Sequence, residues 1–278
     1  LALGAGVTTG AVNIAIGKNA ADAVTSGACN IAIGENALGA STTGLQNIAI
    51  GRLALGGADT TGADNIAMGT NSADAMTSGA CNIAIGYTAL SAATTGCRSI
   101  AIGDSTLAVS TTGCHNIALG NQTMGASDIT GTHNIALGYA AMDALLAGAD
   151  NVGIGRLAAS GLTSGACNIA MGLNSLGAAT DNNNNVAIGN NALAASVNDA
   201  DFNIAIGCNA MGGGDVSTSS NIAIGTNAMD ALTSGAENIA IGGNALGVLT
   251  TGGYNLAIGC GAADALESGS RNIAIGEH

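Results

Sequence analysis

The sequence predicts an all-β fold, a parallel β-solenoid (β-roll) of about 16 coils of 17–18 residues. Three observations predict it: a pentad recurring at fixed spacing, an alternating pattern inside that pentad, and a composition unlike that of a globule. Glycine occurs 45 times, proline and tryptophan never, and phenylalanine once, at Phe202. Charged residues make up 8% of the chain, against about 25% in ordinary soluble domains. A disordered chain carries more charge and far less isoleucine.

The pentad Asn-Ile-Ala-Ile-Gly, with small variations, begins at Asn13, Asn30, Asn47, Asn65, Asn82, Ser99, Asn116, Asn134, Asn151, Asn168, Asn185, Asn203, Asn221, Asn238, Asn255 and Asn272. Every spacing is 17 or 18 residues. A fixed period of this size is the signature of stacked repeats, each unable to bury its apolar face alone. Residues 1–278 therefore read as one continuous solenoid. Coils stacked about 4.8 Å apart predict a rod on the order of 80 Å long. Leu1 begins, and His278 stops, at the position equivalent to Asn36, and neither end shows a polar cap. The expectation is either missing flanking domains or end-to-end stacking.

Within each pentad the alternation is that of a half-buried strand. Large apolar side chains belong in a core, so Ile14 and Ile16 are assigned inward and Asn13, Ala15 and Gly17 outward. A second short segment follows, as in Asn36-Ala37-Leu38, and then a polar corner such as Thr42-Thr43-Gly44. Glycine at that corner is expected to supply a positive φ. Where the leucine position holds alanine (Ala21, Ala73, Ala159, Ala263), a larger apolar residue stands three places later, at Val24, Met76, Leu162 and Leu266. One interior pocket is thus filled from either side of a bend. Met142 and Leu145 occupy both places in a single coil.

Two site expectations follow. The asparagines that open the pentads form a structural ladder, each amide bonding to the coils above and below. The alanines Ala15, Ala32, Ala49, Ala67, Ala84, Ala101, Ala118 and Ala136 form an outward, uncharged stripe on which another chain packs. Charges stand beside the strand instead, after its glycine (Lys18, Glu35, Arg52, Asp104) or before its asparagine (Asp64, Arg98, Asp150, Glu237).

The repeated Asn-Ile-Ala-Ile-Gly followed by a short Asn-Ala-Leu segment, as from Asn30 to Gly34 and Asn221 to Gly225, resembles the head repeats of trimeric autotransporter adhesins. Similar repeats occur in some phage tail fibres. The resemblance covers nearly the whole chain. It implies a left-handed roll, a homotrimer, and display outside a cell, on its surface or on a virion. The coils here are longer than the usual head repeat, and neither a coiled-coil stalk nor a membrane-anchor barrel is found.

Chemistry is sparse. Of the seven cysteines, Cys29, Cys81, Cys97, Cys114, Cys167, Cys208 and Cys260, the set Cys29, Cys81 and Cys167 shares a register but lies three or more coils apart. Cys97 and Cys114 occupy equivalent places in successive coils, within range of a disulfide if their Cβ directions suit. Parallel in-register segments seldom offer those directions. No Cys-x-x-Cys pair suggests zinc. His115 and His133 also stand in neighbouring coils, and read as exposed turn residues more readily than as metal ligands gathered by a symmetry axis. Asp128, Asp181, Asp199, Asp201 and Asp215 read as turn caps, since the nonapeptide of calcium-binding rolls is absent.

The chain is accordingly expected to hold no cofactor, to catalyse no reaction, and to act as a structural or adhesive fibre segment. Its partners are copies of itself, as a trimer or a head-to-tail filament, and a host-surface or matrix ligand. A net charge of −13 with five scattered basic residues argues against nucleic acid. No apolar run reaches the roughly 18 residues of a membrane span. Ice binding by regular threonine or alanine arrays is the alternative, weakened by corners that vary between coils. A hexapeptide-repeat acyltransferase fits worse, because seventeen-residue coils break a period of six.

Overall fold

The computed structural model describes residues 3–4 and 9–277. The expectations about Leu1 and His278 fall outside the described residues. Two compact units are resolved, Leu1–Asn134 and Ile135–His278. Strands β1 (Ile14–Ile16) to β7 (Ile117–Leu119) belong to the first, and β8 (Ile135–Leu137) to β16 (Ile273–Ile275) to the second. In both units the fold is the predicted parallel β-solenoid, with one three-residue strand per coil and no helix among the described residues.

Within each unit consecutive strands pair in parallel and in register, Ile14 opposite Ile31 and Ala15 opposite Ala32, for example. Each strand donates forwards and backwards. Ile31 N–H reaches Asn47 O at 2.9 Å in the next coil, and Gly34 N–H reaches Ile16 O at 2.8 Å in the previous one. The second segment is not a strand. Asn36 and Leu38 stand at φ 56° and 49°, a left-handed backbone that ordinarily costs a bulky residue about 1–2 kcal/mol. What it achieves is a second inter-coil ladder: Asn36 N–H donates backwards to Lys18 O at 2.9 Å, and Leu38 N–H forwards to Ala54 O at 3.0 Å. The geometry recurs at Leu53 and Leu55 and at Asn191 and Leu193, so coil stacking holds it in place.

Glycine has two separate reasons to recur. Gly34, which closes the strand, has φ 134°, and a Cβ there would lie 2.5 Å from Gly51 O. Corner glycines behave differently, and the expectation that they supply positive φ is corrected. Gly44 is absent from the left-handed residues, but its Cβ would meet Thr60 O at 2.7 Å and Asn47 Nδ2 at 2.8 Å. Space, not dihedral freedom, selects glycine at the corner.

The core overturns the assignment of strand faces. Ala32, Ala49, Ala67, Ala84, Ala101, Ala118 and Ala136 are all fully buried, and Ala15 is half-buried. The isoleucines point outwards. The alternation was read correctly, but its two faces were exchanged. The reason is volume. A seventeen-residue coil encloses a narrow interior, already occupied by one or two large side chains such as Leu38, or Met142 with Leu145. Native interiors pack near 0.75 density, so two isoleucines per coil cannot enter as well. Only alanine and the hydrogen-bonded asparagine fit beside the leucine. The predicted exchange across the bend is consistent with this core at three of its four places: Val24, Met76 and Leu162 are buried where Ala21, Ala73 and Ala159 replace leucine, whereas Leu266, paired with Ala263, is half-buried.

Candidate functional site

Apart from the half-buried Ala15, the residues assigned to an outward alanine stripe therefore present no surface, and the exposed face of each unit is built from its isoleucines. Both outer positions of every strand are Ile, Val, Leu or Met, from Ile14 and Ile16 to Ile273 and Ile275. In-register pairing stacks like on like, so each side chain is partly covered by the coils above and below. Even so, Ile102 and Ile241 retain 38% of their surface, as does Met68. Burying such a side chain contributes roughly 1.5–3 kcal/mol. Along a row of strands the uncovered remainder is a continuous apolar band of the kind that marks an interaction surface.

Charge borders this band without entering it. Lys18, Glu35, Arg52 and Asp104 on one side, and Asp64, Arg98, Asp150 and Glu237 on the other, are all exposed. Lys18 Nζ lies 3.3 Å from Glu35 Oε1 in a solvated ion pair of little energetic weight. An apolar centre inside a polar rim is the ordinary anatomy of a protein–protein interface.

The pentad asparagines lie inside the coil. Asn30, Asn47, Asn65, Asn82, Asn116, Asn134, Asn151, Asn168, Asn185, Asn203, Asn221, Asn238 and Asn255 are buried, Asn13 is half-buried and Asn272 exposed. The bonding is more complete than amide-to-amide stacking. Asn65 Oδ1 accepts from Asn82 N–H at 3.0 Å and Asn82 Nδ2 at 3.1 Å. Asn65 Nδ2 donates to Asn47 Oδ1 at 3.1 Å and to the corner carbonyl of Gly79 at 2.9 Å. One side chain thus joins three places: the coil below, the coil above, and its own corner. Serine interrupts the column at Ser99, whose Oγ meets Asn116 N–H at 3.3 Å.

A second amide column was missed by sequence reasoning. Asn174 donates to Asn191 at 3.2 Å, Asn191 to Asn209 at 3.3 Å, Asn209 to Asn227 at 3.2 Å and Asn227 to Asn244 at 3.3 Å. Recurrence of Asn two places after the strand glycine was its signal. The column borders a shallow groove of about 430 Å³ that Asp230 also lines.

Aspartates cap corners across coils. Asp59 Oδ1 accepts from Thr42 N–H at 2.8 Å, and Asp128 Oδ1 from Thr111 N–H at 2.8 Å. Asp201 and Asp215 accept from Asn183 and Val197 N–H at 2.6 and 2.9 Å. The His115 and His133 rings are stacked, with centroids 4.8 Å apart and planes within 9°. Among the described residues no three His, Cys, Asp or Glu side chains are grouped as a metal site. Cys29, Cys81, Cys167, Cys208 and Cys260 are exposed, whereas Cys97 and Cys114 are half-buried with their sulfurs in contact. No described helix is long and apolar enough to cross a membrane.

No family model matches the chain, and no curated protein matches it.

Proposed function

We infer that the chain is a structural or adhesive fibre segment that assembles with copies of itself through the outward isoleucine face. The observation that carries this reading is the unbroken apolar composition of that face beside a charged rim. A solvated sheet is normally protected by charge at such positions. Identical chains supply the matching chemistry without a second gene product, and closed symmetry limits the assembly. Three copies with their isoleucine faces around a common axis is the arrangement that the resemblance to adhesin head repeats favours. A repetitive scaffold of this kind suits reach and multivalent display at a cell surface or on a virion.

The test is mass in solution paired with substitutions on the two strand faces. Wild type is expected to weigh three chains at micromolar concentration. Ile83→Lys, Ile85→Lys, Ile100→Lys and Ile102→Lys together are expected to give a folded single chain with an unchanged β spectrum. Ala84→Ile with Ala101→Ile, on the inward face, is expected to abolish the β spectrum. A wild-type monomer, or a lysine variant that still assembles, overturns the reading.

A further inference from the structure

Two departures from the repeat fall in the same place. Ser99 is the one pentad opening that is not asparagine, and Cys97 and Cys114 flank it at the corner of its own coil and of the preceding one. Serine is too short to take all the bonds of the amide it replaces. Its Oγ lies 3.4 Å from Gly113 O and 3.3 Å from Asn116 N, where asparagines elsewhere make contacts of 2.6 to 3.0 Å, such as Asn168 Nδ2 to Asn182 O at 2.6 Å, Asn82 Nδ2 to Gly96 O at 2.8 Å and Asn82 N to Asn65 Oδ1 at 3.0 Å. The stack is therefore less strongly tied at this step.

The cysteines sit at that same step. Cys97 Sγ stands 2.7 Å from Cys114 Sγ, and Cys97 N–H points at the same sulfur from 3.1 Å. The backbone fixes the pair, because His115 N–H bonds to Cys97 O at 2.9 Å and holds the two corners in register. The two side chains thus bring their sulfurs together, as parallel stacking seldom does. A disulfide requires the sulfurs to close to about 2.05 Å, a movement of well under an ångström. The other five cysteines are exposed, each on a different coil.

We propose that Cys97 and Cys114 are a redox-controlled staple, a disulfide between adjacent coils that replaces the amide rung missing at Ser99. The oxidant is a low-molecular-weight disulfide. Cys114 Sγ, the acceptor of both contacts from Cys97, attacks one sulfur of the oxidant and releases one thiol as a mixed disulfide forms. Cys97 then gives up its proton, attacks Cys114 Sγ and expels the second thiol. Two protein thiols are oxidised, and one oxidant disulfide is reduced to two thiols. The order of the steps suits the pair: donation of a hydrogen bond to Cys114, then burial, holds the Cys97 thiol above its ordinary range. The product closes a loop of one coil and ties the chain across the step where serine replaces the amide.

The experiment uses the full chain with Cys29, Cys81, Cys167, Cys208 and Cys260 changed to serine, oxidised with glutathione disulfide and compared with the reduced form. Expected results are the loss of both free thiols per chain, no retained glutathione, a single Cys97–Cys114 peptide, and a higher thermal midpoint. Cys97→Ser is expected to stop at a glutathione adduct and to show no rise in midpoint. Adding Ser99→Asn, which restores the amide rung, is expected to shrink the rise. Unreacted thiols, links between chains, a stable glutathione adduct on the unsubstituted pair, or an unchanged midpoint after closure would each overturn the proposal. A rise of equal size in Ser99→Asn overturns the link to the missing rung.

Discussion

Met142 occupies the space that a methyl group on Gly153 would need. A Cβ on Gly153 would lie 2.9 Å from Met142 Cε and 3.0 Å from its Cγ. Gly153 is the one pentad centre that is not alanine, and the preceding coil is one that carries both Met142 and Leu145 in its interior, each fully buried. At this site the Met142 side chain takes the space that the alanine methyl fills at the other pentad centres.

Restoring the repeat at this site should harm the protein. Gly153→Ala is expected to destabilise the second unit by about 1–3 kcal/mol through overpacking. Met142→Ala in the same chain should recover most of the loss, because the new methyl then has room. Urea melts of the two single variants and the double variant measure the coupling. Additive effects would show that the two positions do not share space.

Asn65→Ala tests the buried amide column. The substitution strands Asn82 N–H without an acceptor and removes donors from Gly79 O and Asn47 Oδ1. Leaving a buried polar group unsatisfied costs about 1–3 kcal/mol, and more than one is affected. The expected result is a loss of at least about 2 kcal/mol, with faster hydrogen exchange at the Asn82 amide. Asn65→Ser, which reproduces the arrangement at Ser99, should lose less. Equal losses would mean that the hydroxyl carries none of the bonding.

Asp74 makes stability depend on pH. Burial raises its carboxyl above the ordinary value of 3.8, with the Gly57 backbone and the Arg52 charge offsetting only part of that shift. Its Oδ1 is buried without a hydrogen-bond partner. A raised folded-state pKa means that the folded protein holds this proton more tightly than the unfolded chain. The contribution is complete below pH 3.8 and is lost as pH rises through the raised value. At neutral pH the charged carboxylate opposes folding. Asp74→Asn is therefore expected to raise the thermal midpoint at pH 7, with the advantage shrinking below pH 4. Asp22→Asn, at the same coil position but exposed, is the control for net charge. Equal shifts in the two variants at both pH values would remove the role given to burial.

The repeat, the strand at each pentad, the parallel register and the asparagine column were all legible in the residues, because period and alternation depend only on order along the chain. Cys97 and Cys114 were legible as neighbours for the same reason. What sequence could not decide was which side of the strand is the inside. Alternation separates Ile83 and Ile85 from Asn82 and Ala84 but carries no sign. The sign is set by closure: a coil this small has interior volume for one or two large side chains, two alanines and a hydrogen-bonded amide, and none for two isoleucines as well. Whether the corner of Cys97 brings its sulfur to that of Cys114 likewise depends on how successive coils are stacked, which no single coil specifies.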